Sequence, residues 1–240
     1  MTERGMIFNS EMVRAILDGR KTQTRREVKL NLDIACLATT YDWATSLAAN
    51  HYQGLTEEQI QQKAESLRGV IHPVILGNGQ MVSIICPHGK PGDRIWVRET
   101  FCPVDDTQYG GEKWVDYRAT PKFEASHPAG WDCAPNDAEA LKWRPSIHMP
   151  RWASRILLEI TDVRVERLDA ISEEDARAEG IIDGGCLNCG EPEPCGCANP
   201  EPDATDAFAY LWQSIYGQES WNANPWVWVI SFERIEGGAA

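Results

Sequence analysis

Apolar residues recur at the spacing of one helix face in two segments of the chain. Residues 10–18 predict a helix that Ser10 caps and Gly19 ends. Its apolar face consists of Met12, Val13, Ile16 and Leu17. Residues 204–216 predict a second helix, which Gly217 ends. Its apolar face consists of Phe208, Leu211, Trp212 and Ile215.

Capping boxes, in which a hydroxyl and a side chain three residues later cap each other's backbone, predict two further helices. Thr56 and Gln59 form one box, which begins a polar helix that extends to about Leu67. The sequence Ser172-Glu173-Glu174-Asp175 begins the other helix, and Gly180 ends it.

Three segments have the pattern of β-strands. Residues 94–99 alternate apolar and polar positions directly after a Pro-Gly-Asp turn, and residues 155–165 carry apolar side chains on one face. Residues 226–232 are apolar on both faces, which is typical of a central strand. Few strands with short helices between them predict an α+β fold around a small sheet or barrel.

Between these elements lie three stretches that we interpret as insertions into one domain spanning residues 1–236. They are residues 31–80, residues 103–142, which are rich in Gly, Pro, Asp and Ala, and residues 183–203, which are rich in Pro, Gly and Cys. The tail at 237–240 is expected to be disordered.

The charge of the chain limits its partners. Its 240 residues carry a formal net charge of −13, and a protein that grips a long duplex through its phosphates is usually basic. The charge therefore favours a small substrate or a short single strand over long duplex nucleic acid. No signal peptide and no membrane-spanning run is visible, so no membrane partner is expected. Scattered cysteines without an export signal predict the cytoplasm, and the oligomeric state stays open.

Four cysteines crowd into the third insertion, at positions Cys186, Cys189, Cys195 and Cys197. Four thiolates bind one zinc ion tetrahedrally, and such a site would hold the loop together without an open position for catalysis. The same spacing also fits four reduced thiols in a tolerated insertion. The sequence is therefore compatible with both a structural zinc site and a metal-free loop.

The segment Gly19-Arg20-Lys21-Thr22-Gln23-Thr24-Arg25-Arg26 combines a lysine, hydroxyl groups and arginines directly after a helix. A hydroxyl close to a cation is an arrangement that nucleophilic catalysis uses. On spacing alone, the segment is more simply a helix end whose cations suit the helix dipole. Glu179 lies at the end of a different predicted helix, the one that begins at Ser172. A carboxylate at that position is unfavourable, because it opposes the dipole of its own helix.

Several enzyme motifs are missing from the sequence. It has no Walker A sequence, no G-x-G-x-x-G after a strand, no G-x-S-x-G and no H-E-x-x-H. None of the five histidines has a glutamate two positions later, which argues against a zinc deaminase of nucleobases.

Three motifs resemble those of ASCH domains, which are PUA-like β-barrels, in their longer phage- and prophage-encoded branch. The motifs are Met12-Val13-x-x-Ile16-Leu17-x-Gly19-Arg20-Lys21-Thr22-x-Thr24-x-Arg26, Pro91-Gly92-Asp93-x-x-Trp96-Val97-Arg98-Glu99 and Asn224-Pro225-Trp226-Val227-Trp228-Val229, joined by the run from Ser146 to Arg155. The resemblance covers about 6–29, 90–101, 143–182 and 206–235. It implies a PUA-like barrel with flanking short helices, interrupted by the insertions.

Small bacterial ASCH proteins include N4-acetylcytidine amidohydrolases, whose lysine and threonine match Lys21 and Thr24. Their glutamate follows a segment that Leu168-Asp169-Ala170-Ile171-Ser172-Glu173 resembles, and it corresponds to Glu179. The resemblance implies hydrolysis of an N4-acylated cytosine nucleoside or a related modified nucleobase, with no cofactor required. Thr24 would attack the acyl carbonyl, Lys21 would accept its proton or steady the oxyanion, and Glu179 would protonate the leaving amine.

Five further residues are expected to bind the substrate: Arg20, Arg26, Trp96, Arg98 and Glu99. Three alternatives stay open. The chain could be a phage-derived PUA-like module that binds RNA or modified bases without catalysis. It could be a ribonuclease in which Lys21 and Arg26 stabilise the phosphorane. It could also bind a host protein through its acidic insertions.

Overall fold

A five-stranded sheet lies at the centre of the computed structural model, which describes residues 1–30, 32–51, 55–105, 107, 111–122, 142–182 and 204–235. The strands, in the order in which they lie side by side, are β1 (Glu3–Ile7), β6 (Arg94–Arg98), β9 (Leu157–Arg167), β10 (Trp226–Ile235) and β2 (Gln23–Glu27). The β1–β6 pair is parallel and the other three pairs are antiparallel. The predicted central strand is confirmed, because β10 has a hydrogen-bonded neighbour on each side.

The central sheet separates two hydrophobic cores because β10 is apolar on both of its faces. Trp228 and Ile230 pack on one side, in a core shared with β1, β6 and β9. Val227 and Val229 pack on the other side, in a core that contains Phe208 and Trp212. Successive strand residues point to opposite faces, so each core receives every second residue of β10.

The helices follow the sequence pattern closely. They are α1 (Ser10–Leu17), α2 (Thr40–His51), α3 (Glu57–Leu67), α4 (Glu173–Ala178), α5 (Ala204–Tyr216) and α6 (Gln218–Asn222). Thr56 caps α3 with the predicted box, and Ser172 caps α4. The prediction that Ser10 caps α1 is wrong by one residue, because the side chain of Asn9 accepts the hydrogen bond from the backbone N–H of Met12.

Two smaller sheets lie beside the central one. The first contains β3 (Ile34–Leu37), β4 (His72–Leu76) and β5 (Met81–Ile84), and the second contains β7 (Phe101–Asp105) and β8 (Lys113–Tyr117). β3, α2, α3 and β4 fall within the first predicted insertion. The core nevertheless connects them to the central sheet, because Ile34, Val74 and Ile84 pack with β1 and β10.

The α+β class is correct, but the expected closed barrel is not what the described residues form, since their sheets are open. The outer strands of the central sheet are β1 and β2, and no backbone ladder joins them in the described part of the chain. A side chain connects them instead, because Nη2 of Arg26 on β2 donates to the carbonyl of Ile7 on β1 at 2.9 Å. The sheet therefore bends far enough to bring its two edges within the length of one arginine.

Among the helices in the described ranges, none is both long enough and apolar enough to cross a membrane. The predicted disordered tail at 237–240 and the whole of the third insertion lie outside the described residues.

Candidate functional site

The chain between α1 and β2 delivers Lys21 into the interior. Gly19 has a φ of +76°, a conformation that favours glycine, and the backbone N–H of Lys21 then donates to Ala15 at 3.0 Å. Lys21 forms an isolated β-bridge with Glu179, the C-cap residue of α4. Its side chain is fully buried, and its Nζ donates to Oε2 of Glu179 at 2.6 Å and to the Glu179 carbonyl at 2.9 Å.

Lys21 and Glu179 belong to a larger group of charges, called here the ionic cluster, whose centre is buried and whose outer members are partly exposed. Its members are Lys21, Arg25, Arg164, Glu166, Asp175 and Glu179. Nη1 of Arg25 lies 3.4 Å from Oε1 of Glu179, and Nη2 lies 2.9 Å from Oδ2 of Asp175. Three cations face three carboxylates, so the cluster is electrically balanced. Balance explains how so many charges are buried, because an unpaired buried charge is strongly destabilising.

Burial and ion pairing shift the pKa values of the cluster residues in opposite directions. Burial lowers the pKa of the Lys21 ammonium below its ordinary value, and the nearby Glu179 carboxylate only partly offsets this effect. Burial alone would raise the pKa of Asp175, but the guanidinium groups of Arg164 and Arg25 hold it below its ordinary value. The carboxyl of Asp175 is therefore charged near neutral pH, and Lys21 gives up its proton more easily than an exposed lysine.

Thr24, the third predicted catalytic residue, lies on the other face of the sheet. It pairs with Ile230 of β10, whose side chain belongs to the core shared with β1. Arg25 pairs with Val229, which belongs to the opposite core. Directly opposed residues of an antiparallel pair share a face, so Thr24 and Arg25 point in opposite directions. The Thr24 hydroxyl makes no hydrogen bond to Lys21 or Glu179, two residues that the structure also describes.

Arg26 lies on the same face as Thr24 and borders an opening between β1 and β2, called here the edge cleft. The cleft consists of two adjoining cavities of about 400 Å³ and about 490 Å³. Both cavities are lined by Arg26, His88 and Tyr216. The guanidinium of Arg26 donates to the Ile7 carbonyl and, at 3.3 Å, to the Tyr216 hydroxyl.

Arg98 lines the larger cavity together with Gly5 and Ile7. Its guanidinium lies 5.4 Å from the ring centroid of Trp96, the second residue before it on β6. A Cβ atom at Gly5 would lie 2.6 Å from Cζ2 of Trp96 and 2.9 Å from Cδ of Arg98. Glycine at this position therefore lets the indole and the arginine lie closely against β1.

The edge cleft differs from the ionic cluster in having cations without matching carboxylates. Arg26 and Arg98 form no ion pair with any residue that the structure describes; their hydrogen-bond acceptors are the Ile7 and Ile147 carbonyls and the Tyr216 hydroxyl. Lys29 and Glu27 also line the smaller cavity, so three cations and one carboxylate surround the cleft. On a chain with a net charge of −13, this is a local excess of positive charge.

His88 is a cleft residue that the sequence analysis missed. Burial, assisted by the charges of Arg26 and Arg4, lowers its pKa to about 4. The imidazole is therefore neutral at pH 7 and offers one donor and one acceptor to a ligand. The only sign of this role in the sequence is the place of His88 in a Pro-His-Gly turn. That sign is weak, because the other residues that line the cleft come from β1, β2 and α5, which are separate segments of the chain.

Two predicted binding residues lie elsewhere. Glu99 is buried in a bidentate ion pair with Arg155, with both N–O distances at 3.0 Å. Burial raises the pKa of Glu99, and the charge of Arg155 opposes this shift. Arg20 is partly exposed and donates to the Gly180 carbonyl and to Asp18. It borders a separate cavity of about 420 Å³ that Glu179 also lines.

Of the eight predicted catalytic and binding residues, the structure therefore brings together two pairs. Lys21 and Glu179 meet in the ionic cluster, and Arg26 and Arg98 meet in the edge cleft. The role of Arg25 as the centre of the cluster was missed, although its alternation with Gln23 along β2 places both side chains on one face.

The predicted zinc ligands Cys186, Cys189, Cys195 and Cys197 lie outside the described residues, so the structural zinc site stays a prediction. Within the described ranges, no group of three or more His, Cys, Asp or Glu side chains is arranged to hold a metal ion.

Comparison of the chain with models of protein families, with curated proteins and with solved structures finds no match.

Proposed function

We propose that this chain is a binding module for an anionic ligand that carries a nucleobase, such as a modified nucleoside derivative or a short single-stranded RNA. The ligand would occupy the edge cleft. A PUA-like relationship, which the sequence motifs suggest, fits a role in recognising RNA or modified bases. The proposal corresponds to the non-catalytic alternative among the sequence-based hypotheses.

One observation carries the proposal: Arg26 and Arg98 line one cavity without a carboxylate to neutralise them. An arginine in a partly buried site usually has a counterion, because its desolvation is otherwise uncompensated. A ligand phosphate supplies that counterion, and guanidinium groups bind phosphate with two parallel hydrogen bonds. Tyr216, which is 36% exposed, offers an aromatic face for a base, and His88 offers polar groups for its edge.

Binding should be measured by isothermal titration calorimetry with four probes: cytidine, N4-acetylcytidine, cytidine 5′-monophosphate and a five-nucleotide RNA. We expect at least one phosphate-bearing probe to bind, with an affinity that falls as salt rises. Arg26→Gln and Arg98→Gln should each weaken binding roughly 10- to 100-fold, the loss expected for one charged hydrogen-bonding group.

Arg94→Gln is the matched control, because Arg94 lies on the same face of β6 as Arg98 but pairs with Glu159. It should bind the probes like the unchanged protein. Absence of binding for all four probes, or equal losses in the control, would count against the proposal.

Amide hydrolysis is a second candidate, favoured by the Lys21–Glu179 pair. A lysine whose pKa is lowered by burial, 2.6 Å from a carboxylate, is the arrangement that proton transfer requires. Glu179 also borders the cavity of about 420 Å³ beside Arg20, which gives a substrate a place to bind. Thr24 would reach this site only after a rearrangement, because it lies on the opposite face of the sheet.

Hydrolysis is tested by incubating the purified protein with N4-acetylcytidine and following the release of cytidine. If Thr24 is the nucleophile, Thr24→Val abolishes turnover while Thr24→Ser retains part of it. Turnover that persists in Thr24→Val but is lost in Lys21→Met would assign the chemistry to the ionic cluster alone. No turnover in the unchanged protein would leave binding as the remaining function.

A further inference from the structure

We infer that the edge cleft binds the terminal phosphate of its ligand, so that the preferred ligand is a nucleoside monophosphate or the phosphorylated end of a strand. The inference rests on the proposed binding function and specifies the part of the ligand that the larger cavity holds. It concerns the region between Arg26 and Arg98, where the cavity has two cations and no carboxylate.

Both arginines are placed beside Ile7 of β1. The guanidinium of Arg26 donates to the Ile7 carbonyl, and Arg98 is the register partner of Ile7 in the β1–β6 pair. The guanidinium of Arg98 donates to the Ile147 carbonyl and lies 5.4 Å from the ring centroid of Trp96. Each guanidinium has five N–H groups, and few of them have acceptors here. Within the described residues, Arg26 donates once from Nη1 and once from Nη2, and Arg98 donates once from Nη2. Spare donors on two sides suit an anion with several oxygens better than a carbonyl or a hydroxyl.

Arg26 also borders both cavities and bridges the two strands between which the cleft opens. Its side chain extends from β2 to the Ile7 carbonyl on β1 and to the Tyr216 hydroxyl on α5. A strand running through both cavities would have to break these hydrogen bonds. A ligand that ends at Arg26 leaves them in place and adds a phosphate to the free donors. The geometry therefore favours a chain end over an internal phosphodiester.

A terminal phosphate monoester also fits the charge of the site. It carries a charge of about −1.5 to −2 at pH 7 and three acceptor oxygens. His88 lines the same cavity but is neutral at this pH, since burial lowers its pKa to about 4. The two arginines therefore supply the positive charge that faces the phosphate.

The test compares ligands that differ only at their ends. Calorimetric titrations should use cytidine, its 5′- and 3′-monophosphates, inorganic phosphate, and a trinucleotide with and without a 5′-phosphate. We expect a phosphorylated ligand to bind roughly tenfold tighter or more than its hydroxyl counterpart. The monophosphates and the phosphorylated trinucleotide together show whether the site takes a free nucleotide, a strand end or both.

Arg98→Gln should remove the preference for the phosphate, and Arg94→Gln should keep it. Thermal unfolding of each variant shows whether it is folded. The preference should also grow between pH 5 and pH 7, because the second ionisation of a phosphate monoester lies near pH 6 and an internal phosphodiester has no such step.

The other outcomes overturn either the terminal-phosphate site alone or the proposed binding function as well. If phosphorylated and hydroxyl ligands bind equally, the terminal-phosphate site is wrong while the proposed binding function stands. If inorganic phosphate binds as tightly as the monophosphates, the cleft does not recognise the nucleoside, and both ideas fail. If no ligand binds at all, both ideas fail as well.

Discussion

Arg25 and Arg26 are adjacent on one strand, yet they lie in opposite electrostatic environments. Arg25 contacts the carboxylates of Glu166, Asp175 and Glu179 and is fully buried. Arg26 faces the edge cleft, where its partners are a carbonyl and a phenolic hydroxyl. Strand alternation alone creates this difference, because it sends neighbouring side chains to different faces of the sheet.

The comparison indicates which charges are free to act on a ligand. In the ionic cluster, every cation already has a carboxylate, so a substrate would have to displace an internal partner. In the cleft, the cations Arg26 and Arg98 donate to two carbonyls and a hydroxyl of the described residues and to no carboxylate. The most basic segment of the sequence thus supplies both a buried structural group and the arginine that we propose binds the ligand.

The largest effect should come from the two adjacent arginines. Arg25→Gln should lower the free energy of unfolding by about 3–5 kcal/mol, because it leaves buried carboxylates without their partner. Arg26→Gln should lower it by less than about 1 kcal/mol, since its interactions are partly exposed. Urea denaturation of both variants measures the difference. Equal losses would remove the distinction between the two faces of β2.

The coupling between Lys21 and Glu179 should be the next largest effect. We expect Lys21→Met and Glu179→Leu to be strongly destabilising alone, and the double variant to recover about 2 kcal/mol relative to their sum. Each single variant leaves the buried charge of the other residue without its partner, whereas the double variant removes both charges of the pair. A double-mutant cycle in urea gives the coupling energy, and additive losses would show that the pair contributes no specific interaction.

Acid should weaken the contributions of the edge cleft and of the ionic cluster to stability at different pH values. His88 has its pKa lowered to about 4, so the unfolded chain binds its proton first and stability falls as pH drops from about 6.5 to 4. Asp175 has a lowered pKa, so its contribution is present above its unfolded value and is lost only below that, as pH falls through its folded pKa. The His88→Gln variant should therefore lose less stability between pH 6.5 and 4 than the unchanged protein. The difference in the free energy of unfolding, measured by urea denaturation, should be about 1–2 kcal/mol after solvent screening. An unchanged profile would contradict this assignment.

The last of these effects is that of Gly5→Ala, which should lower the free energy of unfolding about as little as Arg26→Gln does. The added methyl would meet Trp96 and Arg98, and overpacking of this kind costs about 1 kcal/mol. The displaced Arg98 should weaken binding of cytidine 5′-monophosphate more than stability falls. Calorimetry and thermal unfolding on the same sample compare the two effects, and unchanged binding would separate Arg98 from the ligand site.

Local pattern was enough to predict four of the six α-helices and three of the ten strands in the described part of the chain. Helix starts and ends came from capping residues and glycines, and the apolar pattern of 226–232 was enough to place β10 in the interior of the sheet. The approach of Glu179 to Lys21 followed from the family resemblance, because the two residues lie in different segments and no local pattern connects them.

The rest depends on pairings between distant strands. The edge cleft forms because β1, β2 and the end of α5 meet, which no single segment of sequence encodes. The separation of Thr24 from Lys21 depends on where β2 begins, since a shift of one residue would exchange its two faces. The open sheet depends on how far the edges of β1 and β2 approach each other, a property of the whole sheet.

The central position of β10 has a consequence for how the protein is made. β2 is synthesised early, and β10, its one strand partner in the described part of the chain, follows after nearly the whole of the chain. Contacts between such distant residues form slowly, and an unpaired strand edge is prone to aggregation until its partner has been made. The nascent chain therefore holds Arg26 on an incomplete sheet until β10 has been synthesised, and the proposed ligand would find its site only after that.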